Sequence, residues 1–347
     1  MEEIEIIPES IQLLKMSDEE YFSEKYKDYI SNSKLSLINP DEGGSIEKYL
    51  SGFQSDYSES FELGSAVHCI VLQPDSYFVS ELDKPTGKLG LFVNYVYELR
   101  QQNYKISDAI KEASLKANYY SNSFSDNRFK TAVRKSIDYY LHRIKQTEII
   151  EDKFPIYLSN TMKNKLGQCL SGIYNNKKLK NLLYPEDCEI YNEYAILCEV
   201  NVKINGKTTK VKLKGKLDNF TIDHLSSTIT LNDLKTTGKP ANFFMGNKIR
   251  DIDDNGNEVQ RWIEGSFQKY HYYRQMGMYL WLLNSAIQAN FGYVYKLKAN
   301  MLLVETIPNF NSKVCPVNGE YIKKGLAEFK QLLIKVVEWT NDQNTQN

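Results

Sequence analysis

Apolar and polar positions alternate with period two in EYAILCEVNVKI, in GKTTKVKLKGKLDNFTID and in STITLNDLKTT, with NG at 205–206 and HLSS at 224–227 as the breaks between them. That is the signature of half-buried strands joined by tight turns, and it predicts a three-stranded antiparallel meander. Elsewhere the period is three to four. FELGSAVHCIVLQP, from 61, predicts a helix that carries His68 and stops at Pro74, and Leu, Ile, Ala and Tyr recur at helical spacing across 88–150. A further helix is expected over 159–182, a long one in SFQKYHYYRQMGMYLWLLNSAI, strands in FGYVYKL and MLLVETI, and a closing amphipathic helix over 319–340. Residues 1–60 are polar, with PDEGG as a turn between short helical stretches, and KIRDIDDNGNEVQR reads as a loop.

These elements divide the chain into an N-terminal helical lead-in at 1–60, a core of α/β (α+β) class made from 61–82 and 155–340, a helical insertion at 83–154 and a disordered tail at 341–347. With 347 residues and 41% hydrophobic content, the chain is long enough to bury one large core with insertions. Lys and Arg total 43 against 44 Asp and Glu, so a polyanionic partner would have to be met by a local patch. MEEIEIIPES lacks the basic-then-apolar pattern of a secretory signal and no apolar run reaches the length of a membrane span, so a cytoplasmic protein with no membrane partner is expected. Five scattered cysteines with no C-x-x-C pair argue against a disulfide framework, structural zinc or an iron–sulfur cluster. With four histidines in all, a catalytic metal would sit on carboxylates, which points to Mg²⁺ or Mn²⁺.

One place in the meander offers such carboxylates. Asp233 and Lys235 share a strand face in LNDLKTT, and Asp218 lies mid-strand in KGKLDNFTID, where Asp is disfavoured. If the two strands pair across HLSS, two carboxylates converge beside one lysine. Clustered acids chelate a hard cation that activates water and polarises a phosphoryl oxygen, and an ammonium can neutralise the charge that develops there. A D-x-K triplet alone is better explained by a solvated hairpin, since such triplets are common on exposed strands. Lys210, Lys212, Lys214 and Lys216 alternate with Val211, Leu213 and Leu217, which reads either as a solvated face or as a track for a phosphate backbone leading to Asp218.

KGKLD followed by LNDLKTT resembles the PD-(D/E)XK nuclease superfamily, with Asp218 and Asp233 in its acidic positions and Lys235 as its lysine. LGSAVH at 63–68 looks like the G-x-x-x-H helix of the RecB-like branch, giving His68, and RQMGMY at 274–279 looks like its Q-x-x-x-Y helix, giving Gln275 and Tyr279. The lead-in ISNSKLSLINP and the helix YHYYRQMGMYL are similar to phage exonucleases of the exonuclease VIII (RecE) type. Leu217 stands where the superfamily has Pro, and Asp233 where it has Glu.

The resemblance implies a restriction-endonuclease-like core, a central mixed sheet flanked by helices. It implies catalytic roles for Asp218, Asp233, Lys235, Gln275 and Tyr279, and a metal held by His68, Asp218, Asp233 and the backbone carbonyl of Leu234. Glu193, at the start of the first strand, is a further candidate ligand in competition with Glu199, and Thr236 and Thr237 join the four lysines as candidate DNA contacts. Gln275 and Tyr279, four apart, share a helical face from which an amide and a phenol could reach a phosphate or the lysine. The implied function is a Mg²⁺-dependent exonuclease working from duplex DNA ends, 5′ to 3′, in phage recombination or replication in the host cytoplasm. Its implied partners are a single-strand annealing protein and further copies of itself. The rivals are a CRISPR-adaptation or AddB-like relative, against which the lack of four cluster cysteines counts, an endonucleolytic relative, and an inactive DNA-binding scaffold, against which the intact Asp218, Asp233 and Lys235 count.

Overall fold

In the computed structural model, described for residues 5–52, 59–120, 124–131, 133–134, 139, 141, 153–252, 257–292 and 294–346, the principal elements follow one another as β1 (Glu5–Lys15), α1 (Glu59–Leu72), β2 (Tyr77–Asp83), α2 (Gly87–Gln101), α3 (Ile106–Lys116) and β3 (Phe154–Leu158). Then come α4 (Asn160–Asn175), α5 (Lys177–Leu183), β4 (Glu189–Ile204), β5 (Lys207–Asp223), β6 (Thr228–Thr237), β7 (Asn247–Ile252), β8 (Glu258–Ile263), α6 (Tyr272–Phe291), β9 (Lys296–Glu305), β10 (Ser312–Pro316) and α7 (Gly319–Gln346). The chain divides into two units, Met1–Gly64 with Cys169–Asn347, and Ser65–Gln168.

The larger unit is built on a six-stranded mixed sheet in the order β1-β4-β5-β6-β9-β10, with β6 and β9 parallel and every other pair antiparallel. The α/β class with a central mixed sheet flanked by helices is therefore the fold of this chain. The meander forms as its alternation dictates: β4 turns into β5 through Asn205 and Gly206, both at positive φ, and β5 into β6 through 224–227. A parallel β6–β9 pair needs a crossover, and α6 supplies it. Apolar residues of α6, among them Met276, Leu280, Leu283 and Ile287, and of α7, among them Phe329, Leu333 and Val337, form the main core with the sheet.

In the smaller unit β2 and β3 pair in parallel, and Phe92, Val93, Val96 and Leu99 of α2 pack on Ala109 and Ala113 of α3. Part of the expected insertion, including 142–150, lies outside the described residues. Among the described residues no helix is long and apolar enough to cross a membrane.

Several expectations need correction. The lead-in, read as helical, opens on the eleven-residue edge strand β1. A register shift between Pro8 and Ser10 breaks its alternation, and proline is tolerated there because an edge strand can spare a donor. KIRDIDDNGNEVQR, read as a loop, contributes the antiparallel strands β7 and β8 on either side of 253–256, which lie outside the described residues. Its charged residues hide the period, since neither face is fully buried. The helix expected over 159–182 is two helices, because Asn176 caps α5 through the Leu179 N–H (3.1 Å). One strand, β9, replaces the two expected after α6, because Gly292 at φ 69 ends α6 beyond Phe291. The closing helix continues through 341–346, the residues set apart as a tail.

The core-facing positions of β5 change parity part-way along. Val211, Leu213 and Leu217 face the main core and so do Phe220 and Ile222. The partner strand slips with it: Ile196, Cys198 and Val200 belong to that core, and at the other end Tyr191 stacks on Phe220 at 4.5 Å. Register is kept across the slip, with Tyr194 opposite Leu217 and Asn192 opposite Asn219. The slip falls where Glu193 and Asp218 face one another, and Glu193 takes it up with φ 56, a conformation that costs a side-chain-bearing residue about 1–3 kcal/mol.

Candidate active site

Three strands deliver three carboxylates along one row. Asn192, Asn219 and Asn232 align across β4, β5 and β6, and the next position on each strand is Glu193, Asp218 and Asp233. Asp233 is 1% exposed and Glu193 7%. A carboxylate oxygen of Glu193 lies within 4.8 Å of one of Asp218. The β5–β6 ladder ends at Asn219 and Asn232, and beyond it the Asp218 carboxylate accepts the Leu234 N–H at 2.8 Å. Since the N–H and C=O of one strand residue point to the same edge, the Leu234 carbonyl faces that gap as well.

Lys235 closes the row. Its Nζ lies 2.5 Å from Asp233 Oδ2 and 3.8 Å from Asp218 Oδ2. Burial alone would lower the pKa of this ammonium, but Asp233 and then Asp218 outweigh it, and the net shift is upward. Gln275 reaches in from the first turn of α6 and donates to Asp233 Oδ1 at 2.7 Å. The helix is aimed by its neighbour Arg274, 1% exposed, which is held by Glu42, by Glu328 (2.9 Å) and by Asn32 (2.9 Å). One turn on, Tyr279 lies close against Gly215, where a Cβ would come within 3.1 Å of its ring. Burial, with Asp233 and Asp218 adding to it, pushes its phenol pKa far up, so Tyr279 stays a hydrogen-bond donor.

The other predicted residues are placed differently. Lys216 is pinned between Glu193 (2.8 Å) and Asp18. Lys214 is buried and donates to the Tyr21 carbonyl at 2.7 Å, Lys212 lies over the Tyr29 ring at 5.6 Å, and Lys210 pairs with Glu9 at 2.8 Å. Strand alternation puts Lys212 and Lys214 on the face away from Leu213, where Lys214 is covered by the segment that carries Tyr21 while Lys212 stays exposed beside Tyr29, so the lysines do not form one open track to Asp218. Thr237 is tied into a turn with Lys239 (3.1 Å), and Thr236 faces Gly64. Glu199 stands six residues along β4 from the row, 3.9 Å from Lys210. His68 is half-buried on α1.

A second row runs beside the acids, and the sequence reading missed it. Asn219 Nδ2 donates to Asn192 Oδ1 (2.7 Å), Asn232 Nδ2 to Asn219 Oδ1 (2.7 Å), and Asn300 Nδ2 to Asn232 Oδ1 (3.0 Å), a chain of amides across β4, β5, β6 and β9. Asn232 and Asn219 also cap the Leu182 and Leu183 carbonyls at the end of α5, at 3.0 and 3.4 Å. Each link fixes one strand against the next a single residue away from an acid. The signal was present: NE at 192–193, DN at 218–219 and ND at 232–233 set an asparagine beside every acid, in strands that disfavour asparagine.

Glu193, Asp218 and Asp233 form ion pairs with Lys216 and Lys235. An excess of anionic oxygen in a largely desolvated row, with a backbone carbonyl beside it, is the donor set that a hard divalent cation takes. These residues fit such an ion.

No family model matches the chain, and no curated protein matches it. Among solved structures, one from Eubacterium rectale, described as a "Putative exonuclease", aligns with a TM-score of 0.47 and 12% identity over 95% of this chain and 88% of its own. A likeness that distant leaves the function to be argued from the residues themselves.

Proposed function

We propose that this chain hydrolyses phosphodiester bonds of DNA with a divalent cation, Mg²⁺ or Mn²⁺, held by the acid row. The observation that carries the reading is the convergence of Asp218 and Asp233 on the Lys235 ammonium, at 3.8 and 2.5 Å, with Glu193 in the same row. Asp218, Asp233, Glu193 and the Leu234 carbonyl would hold the ion, and the resemblance of LGSAVH to a ligand helix adds His68. Bound there, the ion would supply Lewis acidity and a more acidic water.

The chain's own groups do the rest. Lys235, held charged, donates to a phosphoryl oxygen and neutralises charge as the phosphorus becomes five-coordinate. It has no tendency to take a proton from water. Gln275 keeps Asp233 turned towards the row through its 2.7 Å hydrogen bond. Tyr279, a protonated donor one turn away, orients Gln275 or a phosphate oxygen.

The finer reading, an exonuclease on duplex ends that runs 5′ to 3′ alongside a single-strand annealing protein, rests on the resemblance of LGSAVH, LNDLKTT and RQMGMY to the exonuclease VIII type. End-labelled linear duplex and a covalently closed circle, each with Mg²⁺ and with EDTA, test it. Loss of the linear substrate alone, and only with metal, is the expected result. Equal loss of the circle would replace it with an endonuclease. The metal assignment has its own test in calorimetry, where Asp218→Ala is expected to weaken Mn²⁺ binding by about tenfold or more, because a hard-oxygen ligand is lost. Unchanged affinity would remove Asp218 from the ligand set.

A further inference from the structure

The hairpin β7–β8 lies in the chain between the strand that carries Lys235 and the helix that carries Gln275. Lys248, Arg250 and Ile252 alternate onto one face, with Trp262, Gln260 and Glu258 directly opposite them. All six are exposed. The other face differs: Ile249 and Asp251 are half-buried, and Arg261 pairs with Asp251 at 3.4 Å. Neither Lys248 nor Arg250 has an ion pair among the described residues.

Trp262 is held in place although it is 49% exposed. Its ring lies against Gly246, which sits at φ 86 and where a Cβ would come within 2.4 Å of Cζ2, so one side of the indole is backed by the hairpin root while much of the ring stays open. The root itself is clamped by Gln268, which donates to the Met245 carbonyl at 2.9 Å. Phe244, two residues before Gly246, stacks on Tyr272 at 5.6 Å and 17°, and the Tyr272 ring lies 5.9 Å from Lys235 Nζ. A continuous line of contacts joins the hairpin root to Lys235.

We propose that the Lys248–Arg250–Trp262 face binds a single strand of the nucleic acid, with an unpaired base stacked on Trp262 and successive phosphates on Lys248 and Arg250. The inference rests on the nuclease reading and extends it to a second contact surface. An open aromatic face is wasted on a paired base, whereas stacking platforms flanked by cations are how single strands are held without sequence preference. Lys248 and Arg250, two residues apart, are about 7 Å apart along the strand, a spacing that lets both reach the backbone of one extended strand. The phosphates supply the charge complementary to two cations that lack an ion pair among the described residues.

The test uses a twenty-nucleotide oligo-dT and a blunt duplex of the same length, with Ca²⁺ in place of Mg²⁺ and at several salt concentrations. Trp262→Ala, and the double variant Lys248→Gln with Arg250→Gln, are each expected to bind oligo-dT about tenfold more weakly or worse. In the double variant the slope of log affinity against log salt should flatten by about 1.4, or 0.7 for each lost contact. Hydrolysis of bis(p-nitrophenyl) phosphate with Mn²⁺ should be unaltered, because the acid row is untouched. Tryptophan fluorescence should be quenched by oligo-dT in the wild type and not in the conservative Trp262→Phe, which also guards against a misfolded hairpin. Wild-type oligo-dT affinity in both hairpin variants would overturn the proposal and leave the nuclease reading standing. Weakening for the duplex alone would overturn the single strand as occupant. A wild-type protein that binds neither probe and cleaves no DNA would take down both readings together.

Discussion

Lys235→Ala is expected to cut DNA at least about 10²–10³-fold more slowly than the wild type while keeping its fold. The ammonium touches both Asp233 and Asp218, and Gln275 and Tyr279, which face the same row from α6, are neutral and cannot take its place. Stability should fall as well, because Asp233, 1% exposed, loses its counter-charge. Breaking a buried pair costs about 3–5 kcal/mol, and the cost here should lie at or below the lower end, since Lys235 is 21% exposed and Gln275 still donates to Asp233. Added Mg²⁺ should raise the melting midpoint of the variant more than that of the wild type, because a cation among the carboxylates restores the balance of charge. Steady-state kinetics and thermal melts with and without metal measure both effects. Turnover near wild type would remove Lys235 from the chemistry.

Asn232→Leu is the substitution expected to cost most in stability, about 3–5 kcal/mol. Leucine keeps the branched outline but is bulkier, so some overpacking adds to the main loss, which comes from polar groups left behind: Asn219 Oδ1 and the Leu182 carbonyl lose a donor and Asn300 Nδ2 loses an acceptor. Each unsatisfied buried group costs about 1–3 kcal/mol. For a domain of this size that corresponds to roughly 10 °C in melting midpoint. Asn300→Leu, at the end of the chain of amides, removes a single donor, the one to Asn232 Oδ1, and should cost distinctly less. Scanning calorimetry of the two variants decides it. Equal, small shifts of about 2 °C or less would mean that the asparagines do not act as a connected ladder.

The meander and its two turns were legible because the period-two pattern around NG and HLSS has no competing reading. The D-x-K pair and the Q-x-x-x-Y helix were legible because their spacing alone puts each pair on one face. What failed has physical causes. Reading VKLKGKLDNFTI as a bare strand face made all four lysines a track to Asp218, yet Lys210, Lys214 and Lys216 are taken up by Glu9, Tyr21, Glu193 and Asp18, and the same string then moves its apolar positions from odd at Leu217 to even at Phe220. That slip is the trace of the site. No local pattern marks the left-handed Glu193, since a glutamate adopts that conformation only when its surroundings hold it there. The asparagine ladder becomes visible only once four strands are aligned, because its members are up to 108 residues apart, 192 to 300. Alternating charges hid the β7–β8 hairpin, whose exposed face lacks the apolar half by which strands are recognised.

The most direct test of the central claim sets purified wild-type protein beside Asp233→Asn on end-labelled linear duplex DNA, with Mg²⁺ and with EDTA. The exchange keeps the volume of a side chain that is 1% exposed and removes only its charge. Cleavage by the wild type is expected in Mg²⁺ and none in EDTA, with a loss on the order of 10²–10³-fold or more in the variant and its melting curve still cooperative. Cleavage that survives EDTA, or an Asp233→Asn protein as active as the wild type, would contradict that claim.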